Sequence, residues 1–405
     1  MEDLEGLLLL QATLRGTEGR DTSGTLALDT GAGFLALDRD LAVALGITER
    51  VKKSDGIEMA ERALPRLAVG RLDLDQIYPV LTIDADIVRR VSDRPVLGLL
   101  GQKPLDQRAV WIDYALETLA LIPVSRDSVA ATDEVTREDH AARARRIRHS
   151  RIALSGVLTP DARAVPFDLA GDGKILVRVS VSGQRPPREK FPLTLILDTG
   201  ATKCVLFEDS LAAFAPGAAR WPALRGLSAP TLVGTSDARI AMVPRLALQS
   251  DGPAIVREHV DVALMRSDLS VALSRVAGTT VHGLLGASFL RHYRVTIDYP
   301  HHVLWLEAPG SRRGERPWEY CHVGIQLERR DGGLCVVAVA SASPAALAGI
   351  RSGDTLITID GRPVTDLDVT TASRGLEGAP GTRIAITLRR DGANRTYHLI
   401  RRRLL

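Results

Sequence analysis

Leu26-Ala27-Leu28-Asp29-Thr30-Gly31-Ala32 returns later in the chain as Leu195-Ile196-Leu197-Asp198-Thr199-Gly200-Ala201. In each copy an apolar run suits a buried strand, the aspartate emerges at its end, and glycine supplies the backbone freedom that a tight turn requires. Two such turns facing each other would bring their carboxyls about 3 Å apart, where both cannot ionise, so the pair would hold one proton between them. The ionised member could then take a proton from a bound water while the protonated member polarises a carbonyl, which is general acid–base chemistry without a covalent intermediate. Titration would belong to the pair rather than to either residue. A single aspartate at a strand end is ordinarily a turn or cap residue; the matched pair sets these two apart.

The elements that must position the pair repeat as well. Val96-Leu97-Gly98-Leu99-Leu100-Gly101 matches Val281-His282-Gly283-Leu284-Leu285-Gly286, and Ile112-Asp113-Tyr114 or Ile297-Asp298-Tyr299 begins 14 residues after the first glycine of each run. Upstream, Gly6-Leu7-Leu8-Leu9-Leu10 leads into the first Asp-Thr-Gly as Lys174-Ile175-Leu176-Val177-Arg178-Val179 leads into the second. An ordered series of shared features points to one duplicated unit. Short apolar runs bounded by glycine, proline or charge, such as Leu64 to Gly70 and Ile77 to Ile83, are strand signals. The expected layout is a first β lobe over 1–123, a charged linker or exposed helix over 124–150, a second β lobe over 151–308, a hinge over 309–317, and a compositionally different unit over 318–405. The second lobe has longer loops: Asp29 lies 72 residues before Gly101, Asp198 88 before Gly286.

Bulk properties bound the function. The 405 residues, 45% hydrophobic and 25% charged, describe an ordinary globular chain with room for two or three cores. A net charge of +3 with arginines interspersed among carboxylates implies no nucleic-acid partner. No apolar run reaches the roughly 18 residues of a membrane span, and Glu2, Asp3 and Glu5 precede the leucine run at 7–10 where a secretory signal would carry positive charge. The sequence as written is therefore expected in the cytoplasm, with the periplasm as the alternative if the start is misassigned or a signal has been removed. Cys204, Cys321 and Cys335 are too scattered for a disulfide framework or a zinc site and read as packing residues. No metal or organic cofactor is expected.

Apolar-apolar-Asp-Thr-Gly-Ala, followed by apolar-Gly-Leu-Leu-Gly and a terminal strand, resembles the aspartic peptidases. The alanine after each glycine is similar to the retroviral type, whereas the arrangement of both lobes in one chain is similar to pepsin. The resemblance implies a mainly β fold of two retropepsin-like lobes related by a pseudo-two-fold axis. It implies Asp29 and Asp198 as the catalytic dyad of an aspartic endopeptidase acting on protein or peptide substrates. Thr30 and Thr199 would interlock the two turns, with Gly31 and Gly200 shaping them. Hairpin flaps would close over the cleft, with candidates at Gly56 in the first lobe and at Gly234, Thr235 and Ser236 in the second. The first lobe departs from the pattern at Gly33, where the second has Thr202, and at Gln102-Lys103-Pro104-Leu105, where the second has Ala287-Ser288-Phe289-Leu290. An inert peptide-binding scaffold is the alternative; a two-carboxylate glycosidase would need carboxyls about 5 Å or more apart, and a third reading pairs the lobes with another chain.

The last unit contains Val323-Gly324-Ile325-Gln326-Leu327, then Ser343-Pro344-Ala345-Ala346-Leu347-Ala348-Gly349-Ile350 and Gly353-Asp354-Thr355-Leu356. This order is similar to a PDZ domain, a small α+β fold. The resemblance implies that Val323, Gly324 and Ile325 present backbone N–H groups to the terminal carboxylate of a C-terminal peptide ligand, which adds a strand to the sheet edge.

Overall fold

The computed structural model describes residues 1–49, 52–54, 57–124, 140–181, 193–214, 221–231, 234–266, 269–309 and 316–405. The fold is mainly β, and the sequence repeat reappears in it as a repeated pattern of strand pairing. In the first half, Leu7–Arg15 and Asp21–Leu28 form an antiparallel pair, and Val96–Leu100 runs parallel to Asp21–Leu28 with Leu99 opposite Ala27 and Leu100 opposite Leu28. In the second half, Ile175–Val181 pairs antiparallel with Leu193–Leu197, and Gly283–Leu285 runs parallel to it with Leu195 opposite Gly283 and Leu197 opposite Leu285. The strand after each Asp-Thr-Gly, Leu35–Asp38 or Cys204–Phe207, lies antiparallel to the Gly-Leu-Leu strand on its other flank and parallel to a further strand beyond. These strands carry buried leucine, isoleucine and valine on both faces, as expected where parallel pairing requires cover on each side.

A third sheet joins the halves. Its order runs through Thr118–Pro123, Arg108–Asp113, Arg294–Asp298, Val303–Glu307 and Arg163–Pro166. Val110 lies opposite Ile297 at its centre, so strands from the two repeats pair directly, and one apolar cluster from Leu8 to Leu306 runs through both. Of the expected 124–150 linker, residues 125–139 lie outside the described residues. From residue 140 the expected linker is a helix, His140–Ala153, that runs past 150 and is tied down at its end. Ser150 is buried and donates to Asp298 Oδ2 at 2.5 Å, the Trp305 indole N–H donates to Ser150 Oγ at 2.8 Å, and the Arg151 guanidinium stacks on Trp305. Charge on the outer face concealed this inward-facing serine from a compositional reading.

The last unit has its own core, from Val323 to Leu399, and a sheet ordered Ile325–Arg330, Gly333–Val339, Thr355–Ile359, Arg383–Arg390 and Ala393–Ile400. Ile325–Arg330 is an edge strand of that sheet. Ser343 caps the short Pro344–Leu347 helix by accepting from Ala346 N, with proline at its first position. Asp368 caps the Val369–Leu376 helix through Thr371 N. Of the expected hinge, 310–315 lie outside the described residues, and the chain beyond is anchored at once. Glu319 is paired with Lys203 at 2.5 Å and Arg291 at 2.8 Å, and Tyr320 donates to Asp261 at 2.6 Å. Among the described residues no helix is long and apolar enough to cross a membrane.

Candidate functional site

Each aspartate of the repeat is held by its own turn in the same way. Gly31 N and Ala32 N donate to Asp29 Oδ1 at 2.8 and 3.1 Å; Gly200 N and Ala201 N donate to Asp198 Oδ1 at 2.8 and 3.1 Å. The aspartate amides bond across the parallel pairs, Asp29 N to Leu100 O at 3.0 Å and Asp198 N to Leu285 O at 3.1 Å. The threonines then tie one turn to the other. Thr30 Oγ1 accepts from Thr199 N at 3.0 Å and donates to Leu197 O at 2.8 Å; Thr199 Oγ1 accepts from Thr30 N at 3.1 Å and donates to Leu28 O at 2.9 Å. All four bonds are buried. A Cβ on Gly31 would lie 2.7 Å from the Asp198 carboxyl carbon, and one on Gly200 would lie 2.8 Å from that of Asp29. Each glycine is thus the only residue type that lets the opposite carboxyl approach.

The two carboxyls lie within hydrogen-bonding reach of each other, and burial pushes both up from the ordinary aspartate value. Asp198 is driven well above it by burial and then by the charge of Asp29. Asp29 is raised by burial, and is held back by sharing with Asp198, by the amides of Gly31 and Ala32, and by the Lys174 ammonium. Two carboxyls raised together in this way favour holding one proton between them, an arrangement that can donate to one polar atom while accepting from another.

Glycine also fixes the strands behind the pair. A Cβ on Gly98 would overlap the Ala36 carbonyl oxygen, and one on Gly283 would overlap that of Val205. Gly101 and Gly286 face the carbonyls of Phe34 and Lys203 in the same manner.

Further contributors were not assigned roles from the sequence. Lys174 is paired with Asp172, and by strand register its position in the repeat corresponds to Leu7. Gln102 is buried, and its side-chain amide donates to Thr30 O. Tyr114 and Tyr299 are buried, and burial pushes both phenols up. After burial, the charges of Asp3 and Asp198 act on Tyr114, and those of Asp29 and Asp106 on Tyr299. Each tyrosine is therefore within electrostatic reach of the aspartate from the other repeat. The signal that could have found Lys174 and Gln102 was the break in the repeat itself.

Of the flap candidates, those of the second lobe fall on a hairpin. Lys52–Ser54 pairs antiparallel with Ile57–Met59; Gly56 lies outside the described residues. Gly234, Thr235 and Ser236 begin the strand Gly234–Ser250, which pairs antiparallel with Ala223–Thr231. Cys204 and Cys321 are buried, and burial pushes the Cys204 thiol up to about 11, leaving it unreactive at neutral pH.

In the last unit Gly324 has φ +90°, and a Cβ there would overlap Ser343. Val323 O accepts from Ala345 N at 2.9 Å, so the Val323-Gly324-Ile325 loop is pinned to the short helix. Gly324 N donates to His322 Nδ1 at 3.0 Å. Burial first, and then Arg316, pushes His322 down to about 4, so its ring is a neutral acceptor at physiological pH.

A family model for the PDZ domain matches residues 322–400. The carboxy-terminal processing protease CtpA of Bacillus subtilis (strain 168) is 34% identical over 70 residues, which is 17% of this chain and 15% of the relative. The chain thus spans a small part of the length of the curated relative it matches. The PDZ domain of a carboxy-terminal protease from Vibrio cholerae, solved in complex with a peptide, is 17% identical over 20% of this chain and 94% of its own, with a TM-score of 0.19. An aspartic proteinase from Irpex lacteus is 13% identical over 76% of this chain and 96% of its own, at a TM-score of 0.41. Structural likenesses this loose bear no functional weight.

These comparisons correct the expectation of an aspartic endopeptidase. The curated relative matched through the PDZ segment is a carboxy-terminal processing protease, so the protease class inferred from the repeated Asp-Thr-Gly does not stand. What they support is the coarser statement, a PDZ domain with protease relatives. The physical reason is that facing carboxyls fix how a proton is shared, whereas a reaction class depends also on what reaches the site, which neither fold nor motif dictates.

Proposed function

We propose that this chain works in proteolysis, as a PDZ-bearing hydrolase that takes its polypeptide partner by the carboxy terminus. The observation that carries the reading is the Val323-Gly324-Ile325 loop, turned by a positive-φ glycine and leading directly into an edge strand, within the segment that the PDZ family model matches. A peptide carboxylate would receive the loop amides while its backbone extends the sheet at Ile325–Arg330. We propose further that the two β halves are retropepsin-like lobes related by a pseudo-two-fold axis. Asp29 and Asp198, with Thr30, Gly31, Thr199 and Gly200, form the proton-holding site of the cleft between them. The shared pairing pattern and the reciprocal threonine bonds support this reading.

The test is binding and processing by the full chain of a peptide with a free carboxy terminus, beside the same peptide amidated. Binding of the free form, its loss on amidation and in Gly324→Ala, and cleavage of a denatured protein are expected. Equal binding of both forms would remove the carboxylate-loop assignment. Binding with no turnover over a broad pH range would favour the peptide-binding scaffold instead.

A further inference from the structure

The groove of the last unit lies between the edge strand Ile325–Arg330 and the helix Val369–Leu376, and another part of the same chain lies over it. The Asp86–Ser92 helix of the first half packs against both walls. Its C-cap, Asp93, accepts from Arg329 of the edge strand, with Arg329 Nη2 at 2.7 Å from Asp93 Oδ2; the same guanidinium donates to Leu367 O at 2.6 Å, bridging the mouth of the groove. The next residue, Arg94, donates to Asp368, the N-cap of the opposite wall, at 3.1 Å, and is itself held by Glu2 at 2.6 Å. A third contact comes from the first half's opening turn, where Glu5 is paired with Arg374 on the outer helix face at 2.9 Å, and Arg316 with both Glu5 and Glu377. At the far end of the groove, the Gly324 amide is already engaged by His322.

These contacts differ from ordinary surface ion pairs in their placement. Exposed pairs contribute little to stability, yet here Asp93 and Arg94, adjacent in sequence, each take a different wall of one groove, and the side chains of Arg94, Asp368, Arg329 and Asp93 are all about one-fifth to one-quarter exposed. Asp93 has φ 55°, a left-handed cap that aims it away from the end of its own helix. A strand added at Ile325–Arg330 would run out past Arg329 into the space that the helix fills.

We propose that the Asp86–Ser92 helix, with Asp93 and Arg94, is an intramolecular stopper on the PDZ groove, so that a carboxy-terminal peptide binds only as the groove wall parts from the first half. This rests on the reading that the groove takes such peptides. Occupancy of the groove and docking of the first half are then mutually exclusive, and the apparent affinity is reduced by the fraction of molecules in which the stopper is seated. The ligand's arrival is thereby coupled to the half of the molecule that carries Asp29.

The experiment uses the full chain and a fluorescent pool of ten-residue peptides with an apolar last residue and a free carboxylate, beside the same pool amidated. Asp93→Asn/Arg94→Gln removes the pairs to both walls while keeping a residue that tolerates the left-handed cap; Arg94→Gln alone is the milder variant. The double variant is expected to bind the free-carboxylate pool about tenfold more tightly than the wild type, the single variant by an intermediate factor. Unchanged thermal unfolding of the β core, monitored on the same samples, shows that the fold is kept. Carboxylate-dependent binding of equal strength in all three proteins overturns the stopper while leaving the peptide reading intact. No carboxylate-dependent binding by any of them overturns both.

Discussion

The first and second halves place their aspartates with the same geometry, and they support that geometry by different means. In the second half the helical turn Ala287–Leu290 is locked by Ser288, which donates to Asp261 O at 2.7 Å and accepts from Cys204 N at 2.8 Å. In the first half the equivalent turn is the shorter Lys103–Leu105, and the lock is Gln102, reaching forward to Thr30 O. The opening turn of each half also touches the other: a Cβ on Gly6 would overlap Ala287, and Asp172 O abuts Gly33. Gly33 therefore stands where the second half has Thr202 because a backbone carbonyl occupies the space a side chain would need. Residue identity is kept at the strand glycines, where both halves bring a backbone carbonyl against the same position, and released where only one half does so or where a side chain merely supplies one hydrogen bond.

The comparison breaks most severely at the glycines. Gly98→Ala and Gly283→Ala should each destabilise by roughly 3 kcal/mol or more, because the obstacle is a backbone carbonyl in a buried sheet and cannot rotate away. Chemical denaturation would read this, and a loss under about 1 kcal/mol in one half only would show that half to be looser. Next come Thr30→Val and Thr199→Val, each of which strips a partner from a buried carbonyl and from a buried amide. About 2–3 kcal/mol is expected for each, with equal losses if the interlock is truly reciprocal. The different supports should show smaller and comparable costs: Gln102→Leu and Ser288→Ala, about 1–2 kcal/mol apiece, each confined to its own half by hydrogen exchange. The smallest effect belongs to Tyr114→Phe and Tyr299→Phe. Among the described residues neither buried hydroxyl has a hydrogen-bond partner, so stability should stay within about 0.5 kcal/mol.

The halves also respond to pH as one unit. Both carboxyls titrate higher in the folded chain than in the unfolded one. Their contribution is thus complete below the ordinary aspartate value and is lost as pH rises through the raised folded values. The wild type should lose stability relative to Asp198→Asn as pH climbs from acid toward neutral. The opposite trend, with the variant falling behind as pH rises, would mean that the pair is not buried together.

Legibility in the sequence divides along the same line. The Asp-Thr-Gly turns and the Gly-Leu-Leu-Gly strands could be read because contact distances leave one residue type at each place, and spacing alone exposed the duplication. The PDZ unit was legible through Gly324 and the Ser343-Pro344 cap for the same reason. Lys174 and Gln102 were not, since comparing repeats treats a departure as drift when it is a different solution to one hydrogen bond or one charge. Ser150 was hidden in a charged helix, and the salt links from Asp93, Arg94 and Glu5 to the last unit join residues far apart with no periodicity to betray them. The reaction class was misread because a shared proton is a property of two carboxyls, whereas a class is a property of everything that meets them.

The most direct measurement is the titration of the Asp29 and Asp198 carboxyl carbons by 13C NMR in the intact protein. One proton should leave the pair in the acid range and the second remain bound into the neutral range, with both carbons responding to each step. Two independent steps, both complete by about pH 5 as for isolated aspartates, would contradict the claim that the two halves bring these carboxyls together to share one proton.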